Sequence, residues 1–141
     1  MRLACLLLVS TAVAGCSPVV DLELYNDTGR EIFVSVPAAT EQLSIQPHTA
    51  QVVSLVVPRA GLARTFSVSS SAKSWTYPGY LRVFASVPFN LRERRSLGAQ
   101  RIHAKVDSRG RIFLTSPKDS GVAVPTQPPG FPIQPNDSHQ T

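Results

Sequence analysis

The residues that could carry chemistry in this chain are few and scattered. There are two cysteines, Cys5 and Cys16, and three histidines, His48, His103 and His139. Nucleophilic catalysis needs an activated serine or cysteine with a base in reach, and the sequence has no G-x-S-x-G elbow to present one. The histidines show neither the H-E-x-x-H spacing nor a Cys/His spacing suited to zinc. His48 lies among turn residues, His103 alternates with Arg101 and Lys105 on a solvent-facing strand surface, and His139 lies in a proline-rich tail. Asp21 and Glu23 share an outward face where both can stay solvated. The residues therefore name no catalytic group, no metal ligand and no cofactor site, and a hydrolase is the least supported reading.

Binding chemistry has three candidates. Arg92, Arg94 and Arg95, interrupted only by Glu93, could grip a phosphate or carboxylate, since guanidinium binds such groups bidentately. A solvated run partly neutralised by Glu93 is the commoner meaning of such a pattern. Trp75, Tyr77 and Tyr80, around Pro78-Gly79, could stack on sugar rings or sit at a headgroup layer, because each has an apolar body and a polar tip. The alternative is that they close the core, which the usual burial of Trp favours. Phe131, within Pro128-Pro129-Gly130-Phe131-Pro132, could anchor an extended arm in a partner's groove.

The start of the chain carries a different chemistry. Arg2 precedes an apolar stretch, residues 3–14, broken only by Ser10 and Thr11. This is the charged start and short apolar run of a secretory signal, too short to span a bilayer, which takes about 20 apolar residues. It ends in Val13-Ala14-Gly15-Cys16. That tetrapeptide resembles the lipobox of bacterial lipoproteins, with Val13 where Leu is usual. The resemblance covers only residues 1–16, and it implies a diacylglycerol thioether on Cys16, cleavage before it and acylation of the new amino group. Each buried methylene contributes about 0.8 kcal/mol and two or more chains hold a protein in the membrane, so Cys16 would be a working anchor. Ser17 stands where a retention signal would place Asp, which implies transfer to the outer membrane.

Cleavage would leave 126 residues of the 141, enough for one domain and not two. With Cys5 removed and Cys16 acylated, the domain has no disulfide and relies on burial. Its 13 basic and 9 acidic residues leave a mild +4, useful for solubility, and the export signal argues against nucleic acid as a partner.

The elements that would position these residues are strands. Val20, Leu22 and Leu24 alternate with Asp21, Glu23 and Tyr25; Asn26-Asp27-Thr28-Gly29 is a turn, and Ile32, Val34 and Val36 follow, so residues 19–36 read as a hairpin. Residues 42–45 make a short strand. Residues 50–57 are apolar nearly throughout and read as a central strand buried on both faces. Residues 65–69 alternate weakly, and Leu81, Val83, Ala85 and Val87 alternate clearly, predicting another strand. Residues 89–100 read as a loop with at most one helical turn. Residues 102–114 predict a hairpin about Asp107-Ser108-Arg109-Gly110. Eight short strands at this spacing predict an all-β fold, an antiparallel β-sandwich of immunoglobulin-like size, with a small β-barrel as the alternative. The domains are then residues 1–15 as signal, 16–18 as lipidated anchor and linker, 19–116 as sandwich and 117–141 as a flexible tail carrying six of the 12 prolines. The function this implies is a non-catalytic envelope lipoprotein acting as an interaction or assembly module through a sheet edge or the tail. The alternative is a binding module for anionic glycan or lipid.

Overall fold

The computed structural model describes residues 19–36, 41–56, 65–95, 100–136 and 138–140. Cys16 and its lipobox, and residues 57–64 and 96–99, lie outside them. The chain folds as an all-β sandwich of two sheets that do not close into a barrel.

The first sheet has the order β10-β9-β8-β1-β4, with β7 added beside β8. Its strands are β1 (Val19–Asp27), β4 (Ala50–Val56), β7 (Arg92–Arg94), β8 (Gln100–Asp107), β9 (Ile112–Ser116) and β10 (Asp119–Ala123). The second sheet runs β11-β6-β5-β2-β3, from β2 (Ile32–Ser35), β3 (Leu43–Ile45), β5 (Thr65–Ser69), β6 (Lys73–Pro78) and β11 (Ser138–Gln140). A six-residue helix, α1 (Tyr80–Ala85), and a 3-10 turn over Phe89–Leu91 connect the two.

Alternation puts one face of each strand into a shared core. Leu22 and Leu24 of β1, Ile102, Ala104 and Val106 of β8, and Ile112 and Leu114 of β9 meet Ile32 and Val34 of β2, Phe66 and Val68 of β5, and Trp75 and Tyr77 of β6. Phe66 stacks on Tyr77 with ring centroids 4.7 Å apart and meets Tyr80 edge-on at 4.9 Å, the geometries that aromatic quadrupoles favour. The Tyr80 hydroxyl finds no hydrogen-bond partner among the described residues. Burial holds both the Tyr77 and the Tyr80 phenol above the ordinary tyrosine value.

Several expectations are corrected. Residues 19–36 do not form a hairpin: β1 pairs with β4 and, in parallel, with β8, while β2 belongs to the other sheet. Asn26 redirects the chain. Its buried side-chain amide donates to Arg30 O at 2.7 Å and Ile45 O at 2.9 Å, which ties the end of β1 to the second sheet. Among the described residues the apolar strand β4 is an edge and β1 is central; Val53 and Leu55 of β4 are buried, while Val52 is 38% exposed on the outer face.

The alternation at residues 81–87 does not give a strand. Gly79, at φ 68°, turns the chain after β6, and Tyr80, Phe84 and Val87 repeat at helical spacing and are buried. The cluster Trp75, Tyr77 and Tyr80 thus spans a strand and a helix start.

Within the segment expected to be a flexible tail, residues 117–136 and 138–140 are not free. Beyond β10, Ile112 and Ile133 exchange backbone hydrogen bonds of 3.0 and 2.8 Å, Asn136 N–H donates to Thr76 O, and β11 pairs with β6. The segment leaves the edge of the first sheet and ends on the edge of the second. Proline removes donors, but Ile133 and Phe131 supply enough apolar surface to dock the backbone between them.

Candidate functional site

Burial removes the aromatic cluster from the list of open contacts. Trp75 is 2% exposed and Tyr77 and Tyr80 are 0% exposed, so they build the core and offer no stacking platform. Phe131 packs partly buried against Phe84, with centroids 5.8 Å apart, and is not a projecting anchor.

The arginines do not converge either. Arg92 donates from Nε to Val87 O at 2.8 Å, from Nη2 to Ala85 O at 2.8 Å and from Nη1 to Gln100 Oε1 at 2.7 Å. Its guanidinium also lies 4.9 Å above the Phe89 ring centroid. The first two bonds satisfy carbonyls at and just beyond the end of α1, so Arg92 clamps the fold. Arg94 is exposed, and Arg95 pairs with Glu93 at 3.2 Å.

What the structure brings together instead is a charged row on the outer face of the first sheet. The parallel register sets Asp21 beside Arg101 and Glu23 beside His103, and β7 places Glu93 opposite Arg101. His103 Nε2 lies 2.8 Å from Glu93 Oε2, and Nδ1 lies 3.3 Å from Glu23 Oε1 without hydrogen-bond geometry. Arg101 reaches Glu23 at 3.5 Å, and Lys105 reaches Asp27 at 2.8 Å. An acidic stripe on β1 thus meets a basic stripe on β8, which favours pairing these two strands in this register. The hydrogen bond from His103 is the chief cause that holds the Glu93 carboxyl below its ordinary value, with Arg95 adding to it against some desolvation.

His103 therefore keeps the face expected of it but not the exposure, being 97% covered by its neighbours. Its own alternation with Arg101 and Lys105 tells the face; the carboxylates come from strands distant in sequence, so no local pattern announces them. The two carboxylates sit at opposite ring nitrogens and share no common point. Among the described residues no group of three His, Cys, Asp or Glu is arranged to hold a metal. The row orders strands and locks an imidazole.

A second recognition feature is the outer edge of β4. Asn26 N–H donates to Thr49 O, and alternation along the antiparallel pair then turns the N–H groups of Gln51, Val53 and Leu55 toward β1 and those of Val52 and Ser54 away from it. Among the described residues no strand receives those outward groups. The seven residues Ala50–Val56 include no charge and no proline, the devices that usually protect an edge. The other outer strands are shorter or irregular: β3, β7 and β11 have three residues each, and β10 carries a register shift. Comparison with protein-family models, curated proteins and solved structures returns no match to this chain.

Proposed function

We propose that this protein is a lipid-anchored, non-catalytic domain of the bacterial cell envelope that binds another envelope protein by adding a strand to β4. The lipobox-like Val13-Ala14-Gly15-Cys16 supports the anchor, and Ser17 supports an outer-membrane destination. The observation that carries the interaction is the outer edge of Ala50–Val56, which pairs with no further strand among the described residues. Main-chain hydrogen bonds from an incoming strand would supply affinity, and exposed Val52 would supply an apolar side-chain contact. The proline segment, packed on the sandwich, no longer supports a recognition arm, and the engaged Arg92 does not support an arginine-borne glycan or lipid site.

The test places a photocrosslinking residue at Gln51 of the full chain and captures the partner from envelopes. A Val52→Pro variant should lose the captured protein while keeping most of its melting temperature, since proline is tolerated where the N–H faces outward on an edge. Capture that survives Val52→Pro unchanged would overturn the reading. In parallel, labelling with a fatty acid should mark the protein and not its Cys16→Ser variant.

A further inference from the structure

At the end of the sandwich where β1 leaves the first sheet, three connections meet: the one after β1, the turn between β5 and β6, and the β8–β9 turn. With the start of β6 they border a half-open cavity of about 250 Å³ lined by Thr28, Arg30, Ser70, Lys73, Trp75 and Ser108. Two cations and three hydroxyls line it, and among the described residues no carboxylate does. The neighbouring carboxylates are committed elsewhere. Asp27 accepts from Lys105, Glu31 from Ser44 and Gln46, and Asp107 from Arg111. Among the described residues neither Arg30 nor Lys73 makes an ion pair.

Two uncompensated positive charges beside a polar concavity attract an anion, and the concave shape strengthens that attraction. A phosphate monoester carries about −1.5 to −2 at neutral pH with three acceptor oxygens, which matches two cations and the adjacent hydroxyls. The volume falls below the roughly 300–1,000 Å³ of pockets for drug-sized ligands, so it suits one charged group with a small body.

We propose that this cavity is a binding site for a small soluble phosphate monoester, held between Arg30 and Lys73 against the wall formed by Trp75. The choice of a soluble ester over a lipid headgroup rests on the proposed anchor. The nine residues of β1 run from Val19, three positions after Cys16 in sequence, to Asp27, and at about 3.3 Å per residue the cavity stands roughly 26 Å farther along the strand. Lipids of the anchoring membrane lie at the opposite end of the domain.

Trp75 is the only tryptophan in the chain, so its emission reports on the cavity directly. Inorganic phosphate and glycerol phosphate, titrated into the full chain at constant ionic strength, should each shift Trp75 emission saturably, with sodium chloride giving no shift. Arg30→Gln and Lys73→Gln should each weaken binding about tenfold, the loss of one charge-assisted contact, with unchanged melting temperatures, and Arg30→Lys should restore part of it. Vesicles containing phosphatidic acid should leave the emission unchanged. No saturable shift with either phosphate, or equal shifts in wild type and both glutamine variants, would overturn the site. A response to vesicles alone would overturn the soluble ligand, and neither result bears on strand addition at β4.

Discussion

The indole of Trp75 lies directly on Gly110: a Cβ built at Gly110 would fall 2.5 Å from Trp75 Cδ1. The same glycine, at φ 75°, accepts a 2.6 Å hydrogen bond from the buried Tyr77 hydroxyl through its carbonyl oxygen. One residue of the β8–β9 turn thus docks the first sheet onto β6 of the second. Gly110→Ala adds a methyl group where an aromatic ring stands and a side chain where φ is positive, so it should cost about 1–3 kcal/mol. Tyr77→Phe leaves the Gly110 carbonyl short of its buried donor and should cost about 1–3 kcal/mol. Denaturant unfolding followed by Trp75 emission measures both. An unchanged midpoint for Gly110→Ala would show that the indole has room to move.

Arg92 and Arg94 share a strand and a residue type but not a role. Arg92 closes three hydrogen bonds, two of them onto the carbonyls of Ala85 and Val87, so Arg92→Ala should lower stability by about 1–3 kcal/mol. Arg94 is exposed, and Arg94→Ala should stay within about 0.5 kcal/mol of wild type. Urea midpoints of the two variants check the contrast, and equal effects would sink it.

Acid should act on the row around His103. Because the folded protein holds the Glu93 carboxyl below its reference value of 4.5, the unfolded chain takes up that proton first. The stability this group contributes is then complete above the unfolded value and is lost as pH falls through the lowered folded value. Glu93→Gln removes that contribution, so the stability gap between the variant and wild type should be widest at neutral pH and narrow on acidification. Melting temperatures at pH 7 and pH 3 test this; a gap that widens in acid would refute the linkage.

Much of the sandwich is legible in the chain because burial on one face of a strand imposes period two. The β8–β9 hairpin and the inward set Leu22, Leu24, Ile102, Ala104 and Val106 follow from alternation and turn chemistry alone. The failures occur where a second constraint competes. Residues 80–87 satisfy both periods, and packing selects the helical one because Tyr80 and Phe84 can then enter the same core. Strand partners are not written locally, so the parallel β1–β8 pair, and with it the carboxylates around His103, stayed hidden. The same holds for the cavity, whose Arg30, Ser70 and Ser108 come from three separate connections. Composition misled at the tail, where prolines mask a polar side chain acting as backbone.

That side chain is Gln127. Its Oε1 accepts the Leu114 N–H at 2.9 Å while its Nε2 donates to Leu114 O at 3.0 Å and Val124 O at 3.1 Å. The amide reproduces the donor and acceptor of a strand residue, which lets a segment with prolines at 125, 128 and 129 cover the edge of β9. Gln127→Ala leaves the Leu114 N–H and the Val124 carbonyl short of partners, while Leu114 O keeps the Val124 N–H at 3.0 Å, and should cost about 1–3 kcal/mol. Gln127→Glu keeps the acceptor but loses donation to two carbonyls, and should be at least as costly. A chain ending at Ser116 loses β10, the Ile112–Ile133 bridge and the Phe84–Phe131 contact together, so its melting temperature should fall far more than that of either point variant. Thermal unfolding of the three proteins decides it. A truncated chain that melts with the wild type would mean that residues 117–141 add nothing to the sandwich, and the role given to Gln127 would fall with them.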